Sequence, residues 1–100
     1  LARELVGEAE LGVALARLPA WRRDGDRLVR DFRCADFAAA FACLTRIAAA
    51  AEALDHHPDW SQSWNRVEIA LTTHSAGGIT ALDLELARAI DEIVEEAACG

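Results

Sequence analysis

The sequence predicts an α+β domain in the order α-β-β-α-β-β-α, with helices packed on one face of a four-stranded antiparallel sheet. Three observations predict it. Asp24-Gly25 lies inside a strand-like segment and favours a tight turn with positive φ. Val67, Ile69, Leu71 and Thr73 alternate with Glu68, Ala70 and Thr72, the period of a half-buried strand. Apolar residues recur at helical spacing through 37–54 and again after Thr80.

Residues 8–18 read as a first helix, with Leu11, Leu15 and Leu18 on one stripe and Pro19 as its stop. Trp21 to Arg33 reads as the hairpin, with Leu28, Arg30 and Phe32 on one face of the returning strand and Val29 and Asp31 on the other. Asp36 is the expected N-cap of a long helix over 37–54, buried along Phe37, Phe41, Leu44 and Ala48. Strands are expected at 59–64 and 67–73, joined at Asn65-Arg66. Thr80 and Asp83 have capping-box spacing at the start of a last helix, whose apolar face is Leu82, Leu86, Ile90 and Ile93. No repeat, linker or low-complexity tail interrupts the chain, so 1–100 is read as one domain.

Composition narrows the function classes. The chain has 53% hydrophobic and 27% charged residues, which suits a globular domain. Much of the apolar share is alanine, which buries little area, so part of the stability is expected from self-association. The net charge of −7 disfavours direct contact with nucleic acid. The Ala-rich run from Ala38 to Leu54, broken by Thr45, Arg46 and Glu52, reads as too short and too polar for a membrane span. Cys34, Cys43 and Cys99 form no C-x-x-C pair, and no signal-peptide-like segment is seen. They are expected as reduced, small hydrophobes of a cytoplasmic protein.

The histidines carry the chemical signal. His56, His57 and His74 are the only three, and two of them are adjacent. Imidazole is the side chain whose unperturbed titration lies nearest neutrality. Pro58 biases His57 away from helix, so the pair falls in a loop past the long helix, where both rings can face one pocket. His74, at the end of a strand, can meet them there. Glu52 lies one helical turn before His56 and can orient an imidazole. Such a set supplies an acid and a base without a covalent nucleophile.

Blander readings stand beside this one. A histidine near a helix end often does no more than cap it. Three imidazoles can hold zinc, but the H-H-P spacing lacks the i, i+4 or i, i+2 pairing that commonly builds such sites. Ser61, Ser63 and Ser75 lack the glycine-flanked elbow of a nucleophile, and no cysteine has a catalytic motif around it.

Glu52-x3-His56-His57-Pro58, then five residues to Trp64, nine to His74 and eight to Asp83, resembles the signature of the pterin-4a-carbinolamine dehydratases. The resemblance extends to Leu18-Pro19-Ala20-Trp21, Arg30-Asp31-Phe32, Asp36-Phe37, Thr72-Thr73-His74 and Gly77-Gly78-Ile79-Thr80, and so covers about residues 8–96. Trp64 departs from it, standing where the family often has tyrosine.

The resemblance implies dehydration of a 4a-hydroxytetrahydropterin to quinonoid dihydropterin and water, with no metal or organic cofactor. It implies a homodimer or homotetramer and a functional link to an aromatic amino acid hydroxylase. His56 and His74 would be the acid/base pair, His57 would mainly hold the pterin, and Glu52 would orient a histidine. Pro58, Thr73, His74, Ser75 and Ala76 would line the pocket. Asp55, Asp83 and Trp60 are candidates for support, with Asp83 equally explained as a cap and Trp60 as packing. The alternative is a non-catalytic module on the same fold, a dimerisation cofactor or an assembly chaperone. Retention of Glu52, His56, His57 and His74 together favours catalysis.

Overall fold

The computed structural model describes residues 3–100 and realises the expected order. Helix α1 spans Glu8–Ala16, strands β1 and β2 span Arg22–Asp24 and Arg27–Arg33, and helix α2 spans Phe37–Leu54. Strands β3 and β4 span Asp59–Ser63 and Arg66–Leu71. A 3-10 turn follows at His74–Ala76, and helix α3 spans Ala81–Glu96. The sheet is antiparallel throughout, in the order β1-β2-β4-β3. Gly25, at φ 63°, makes the β1–β2 turn and sets the register Asp24↔Arg27.

The alternation of β2 and β4 decides which face is covered. Leu28, Phe32, Val67, Ile69 and Leu71 are all buried on one face, and the helices pack there. The opposite face carries Arg22, Asp31, Arg66 and Glu68, which pair with one another near solvent. Helix α3 contributes Leu84, Leu86, Ala87, Ile90 and Val94 to the core, while Leu82 and Ile93 are half-buried. One polar cluster ties helix to sheet: Trp21 Nε1 donates to Asp91 Oδ1 at 2.7 Å, and Arg30 Nη1 donates to the same oxygen. Among the described residues, Arg30 Nε is buried without a hydrogen-bond partner. The guanidinium lies 5.8 Å from the Phe32 ring centroid, a cation–π contact that offsets part of that cost.

Four expectations need correction. The buried stripe of α2 is Ala40, Cys43, Leu44, Ile47 and Ala51, whereas Phe37 and Phe41 are exposed and stack on each other, 6.4 Å apart. Apolar residues nearly encircle this helix, so spacing alone admitted two stripes, and contact with the sheet and α3 selects the alanine-cysteine one. The β3–β4 turn is Trp64-Asn65, one residue earlier than expected, with Trp64 at φ 53°. Helix α2, at 18 residues with a mean hydropathy of 1.5, is long and apolar enough by composition to cross a membrane, contrary to the sequence expectation. Its buried stripe in the core and the ion pair of Arg46 with Glu96 of α3 assign it to the folded domain instead.

The fourth correction concerns the cysteines. Cys34 and Cys99 form a disulfide, and Cys43 alone is a free, buried thiol. The terminal segment folds back along β2, where the Gly100 N–H donates to Arg33 O at 2.9 Å. That return places Cys99 beside Cys34 across 65 positions of sequence, a proximity that no local spacing encodes.

Candidate active site

The C-terminal end of α2 builds the first half of the site. The helix stops in a left-handed residue, Asp55, at φ 50° and ψ 44°, a conformation that aspartate tolerates better than most residues. The Asp55 and His56 N–H groups then donate back to Glu52 O and Ala51 O, at 3.1 and 3.0 Å. This closure turns the His56 ring inward. His57, the next residue, faces outward.

The second half comes from the segment after β4. The Thr73 N–H donates to Gly78 O at 2.9 Å, closing a short loop that contains the 3-10 turn with His74. Gly77 takes φ 76° within it. The loop leads into α3, whose N-terminus is capped reciprocally by Thr80 and Asp83, as the sequence predicts.

Asp83 does more than cap. Its Oδ2 accepts from the Thr80 N–H and the Thr73 hydroxyl, both at 2.9 Å, while its Oδ1 lies 2.5 Å from His56 Nε2. The Thr73 and Thr80 hydroxyls also bond each other, at 2.8 Å. Asp83, Thr73, Thr80 and His56 are all buried, with Asp83 at 0% exposure and His56 at 7%. A fully buried carboxylate needs such a set of partners, because an unpaired one would be strongly destabilising. The cap and support readings of Asp83 are therefore both realised, one by each oxygen.

The adjacent histidine sits in a different environment. His57 Nε2 lies 2.6 Å from Glu52 Oε1, and both side chains are mostly exposed. Glu52 thus partners His57 rather than His56, although the latter lies one helical turn away. The left-handed residue Asp55 breaks the helical phase, so the spacing rule no longer applies beyond it. His74 is exposed, and no hydrogen bond to its ring occurs among the described residues.

These residues meet in a cleft of about 260 Å³ lined by Arg3, Asp55, His56, His57, Thr72, Thr73, His74 and Ser75. The three histidines are brought together, as expected, with Asp55, Thr73 and Ser75 beside them. Pro58 and Ala76 stand outside the lining. Trp60 lines a separate groove with Asp59 and Glu68. Arg3 and Thr72 were not anticipated. Arg3 arrives because the Val6 N–H donates to Ile79 O and Leu5 bridges Thr80, which lays the N-terminal segment along the loop after β4. Larger clefts exist, one of about 300 Å³ between α1 and α3 and one of about 330 Å³ beside Gly25, but neither contains a histidine. The chemistry, not the size, marks the site.

Comparisons with known proteins point to one family. Residues 4–93 match the family model described as pterin 4 alpha carbinolamine dehydratase. A Chloroflexus aurantiacus protein named "Putative pterin-4-alpha-carbinolamine dehydratase" is 51% identical over 89 residues, covering 89% of this chain and 96% of its own length. A Rhizorhabdus wittichii protein of the same name is 48% identical over 94 residues, covering 92% and 97%. Among solved structures, a transcriptional coactivator/pterin dehydratase from Brucella melitensis superposes with a TM-score of 0.84 at 39% identity, covering 88% of this chain and 96% of that one. A pterin dehydratase-like protein described as a RuBisCO assembly factor of the alpha-carboxysome superposes with a TM-score of 0.63 at 25% identity, covering 74% and 88%. With the family model spanning nearly the whole chain and relatives near half identity over most of it, this chain belongs to the pterin 4 alpha carbinolamine dehydratase family.

Proposed function

We propose that the chain is a dehydratase that converts a 4a-hydroxytetrahydropterin to quinonoid dihydropterin and water by histidine acid/base catalysis. The observation that carries this reading is the buried His56–Asp83 pair at the wall of a cleft that also contains His57 and His74. A binding module has no use for a buried imidazole locked to a carboxylate beside two further imidazoles.

The division of labour follows from the partners. With Nε2 donating its proton to Asp83, the neutral His56 ring has Nδ1 as an acceptor, the nitrogen left for a molecule in the cleft. Asp83 fixes that tautomer and stabilises the imidazolium once His56 takes the ring-nitrogen proton. His74, without a hydrogen-bond partner among the described residues, protonates the departing 4a-hydroxyl so that it leaves as water. His57, steadied by Glu52, holds the pterin from the solvent side. The Thr73–Ser75 segment supplies backbone and hydroxyl groups to the amide-like edge of the ring. No metal or organic cofactor enters these steps.

The exposed Phe37, Phe41, Trp60 and Trp64 suit contact with a second copy of the chain, so the working form is proposed as a homo-oligomer. The proposed setting is the cytoplasm, beside an aromatic amino acid hydroxylase that produces the carbinolamine. A non-catalytic role, as dimerisation cofactor or assembly chaperone, is the competing reading; among the solved relatives, one is described as a transcriptional coactivator/pterin dehydratase and another as a RuBisCO assembly factor.

The deciding experiment follows the loss of a 4a-hydroxytetrahydropterin generated in situ, with and without chelator-treated protein. Acceleration by wild type, removed in His56→Ala and His74→Ala with the fold intact, is the expected result. No rate above background sinks the enzyme reading, and activity restored only by added zinc sinks the metal-free mechanism.

A further inference from the structure

The far end of β4 from the histidines holds all three cysteines of the chain. Cys34 follows β2, and its N–H donates to Asn65 O while its carbonyl accepts from Asn65 Nδ2, so the residue is pinned at the β3–β4 turn. Cys43 lies on the buried stripe of α2. Cys99 sits on the terminal segment after α3 and is half-buried. The three Sγ atoms all lie within 4.8 Å of one another.

We propose that, once the Cys34–Cys99 disulfide is reduced, these three sulfurs bind one Zn2+ ion, with water in the fourth position. A zinc ion bound to thiolates at about 2.3 Å places the sulfurs about 3.8 Å apart in a tetrahedral arrangement. The present cluster is already close to that size. Opening the disulfide frees two sulfurs to move apart, and Cys99 lies beyond the last helical residue. Its partial exposure gives the ion an entry path and the fourth ligand an opening.

Charge selects the ion. Thiolates favour zinc and monovalent copper among the first-row metals. Three thiolates leave a net charge of −1 with Zn2+ and −2 with Cu+, and the smaller charge is less costly in a site this buried. The guanidiniums of Arg46 and Arg30 act on Cys43 in the direction that favours its thiolate, which offsets the residual negative charge.

The steps balance. A dithiol reductant gives two electrons and two protons to the Cys34–Cys99 bond and itself becomes a disulfide. Zn2+ then displaces three thiol protons to solvent. The inference does not rest on the dehydratase reading. Six strand residues at about 3.4 Å each, roughly 20 Å, separate this cluster from the histidine cleft.

Binding is tested with Zn2+ in competition with a chromophoric chelator, and with Cd2+ as a probe whose thiolate bonds give a charge-transfer band. Full-length protein is used in three forms: oxidised, phosphine-reduced, and reduced with Cys43→Ala or Cys99→Ala. Reduced wild type should bind one ion per chain with a thiolate band. Each variant should weaken binding by at least about tenfold, and the oxidised form should show no band. A His57→Ala control should leave the band and affinity unchanged. Wild-type affinity in Cys43→Ala, or binding without a thiolate band, would overturn the proposal. The Cys99→Ala variant, altered on the terminal segment, keeps the test valid if Cys43→Ala misfolds.

Discussion

The two ends of β4 hold the two reactive clusters of the chain, and they are stabilised by different means. At the histidine end, four buried polar side chains satisfy one another: His56, Asp83, Thr73 and Thr80 form a closed hydrogen-bond network. At the sulfur end, a covalent bond and a β-like return of the terminus hold Cys34, Cys43 and Cys99 together. The first depends on complete hydrogen bonding, and losing one member leaves the others buried and unpaired. The second includes a covalent bond that a reductant would cleave. The proposed catalytic end is thus held by a closed polar network, and the sulfur cluster lies at the opposite end of β4.

The sharpest way to break the comparison is to remove the buried imidazole. His56→Ala should lower the dehydration rate by about 10²–10⁴-fold, the range for a positioned general base. His57→Ala should act chiefly on KM, because its ring is exposed and tied only to the exposed Glu52. Steady-state kinetics of the two variants check this. Equal kcat losses in both would mean that the burial difference between the neighbours has no chemical consequence.

Next in size is the stability of the network itself. Asp83→Ala strips the cap of α3 and leaves the Thr73 hydroxyl, the Thr80 N–H and His56 without their shared acceptor. Urea unfolding should show a loss of about 3–5 kcal/mol. Asp83→Asn keeps the shape and one acceptor oxygen, so it should be milder in stability yet still slow, having lost the charge that supports His56. If Asp83→Asn retains the full rate, the carboxylate serves only the helix.

Loss of the disulfide comes third. Cys99→Ser, or chemical reduction, removes a cross-link spanning 65 positions and should cost about 2–4 kcal/mol in the same measurement. The dehydration rate of the remaining folded protein should not change. A drop in rate would mean that the two ends are coupled along β4.

Much of this molecule is readable in sequence, and the unreadable part has a common cause. The hairpin at Gly25, the Asp36 and Thr80 caps and the alternation of β4 all follow from neighbours within a few residues. So does the histidine loop, because a helix end followed by Pro58 is a local signal. The misses are long-range. Whether Phe37 and Phe41 or Cys43 and Ile47 face the core depends on what the helix packs against. The Glu52–His57 pairing depends on one left-handed residue, and the Cys34–Cys99 bond on where the terminus returns. The Asp83–His56 bond lies between the two kinds. Its capping half was visible in Thr80-x2-Asp83, and its histidine half required the fold to bring α2 and α3 together.

The smallest expected effect tests whether surface charge shares in the strength of the histidine end. Glu8 at the start of α1 pairs with Arg23 of β1 at 2.6 Å, beside the cleft at Gly25, and both are solvent-exposed. The Arg23 guanidinium, through its hydrogen bond and then its charge, holds the Glu8 carboxyl below the ordinary carboxylate range. A carboxyl depressed in the folded state stabilises it above the ordinary carboxylate pKa. That contribution is lost as pH falls through the lowered value. Glu8→Gln should therefore differ from wild type at neutral pH and converge with it in acid. Because the pair is exposed, the neutral-pH difference should be slight and should shrink in high salt. Acid titrations of both proteins, monitored by circular dichroism at two ionic strengths, check the sign. A large, salt-insensitive difference would show that α1 and β1 anchor this end through charge, and the buried network would no longer account for its stability alone.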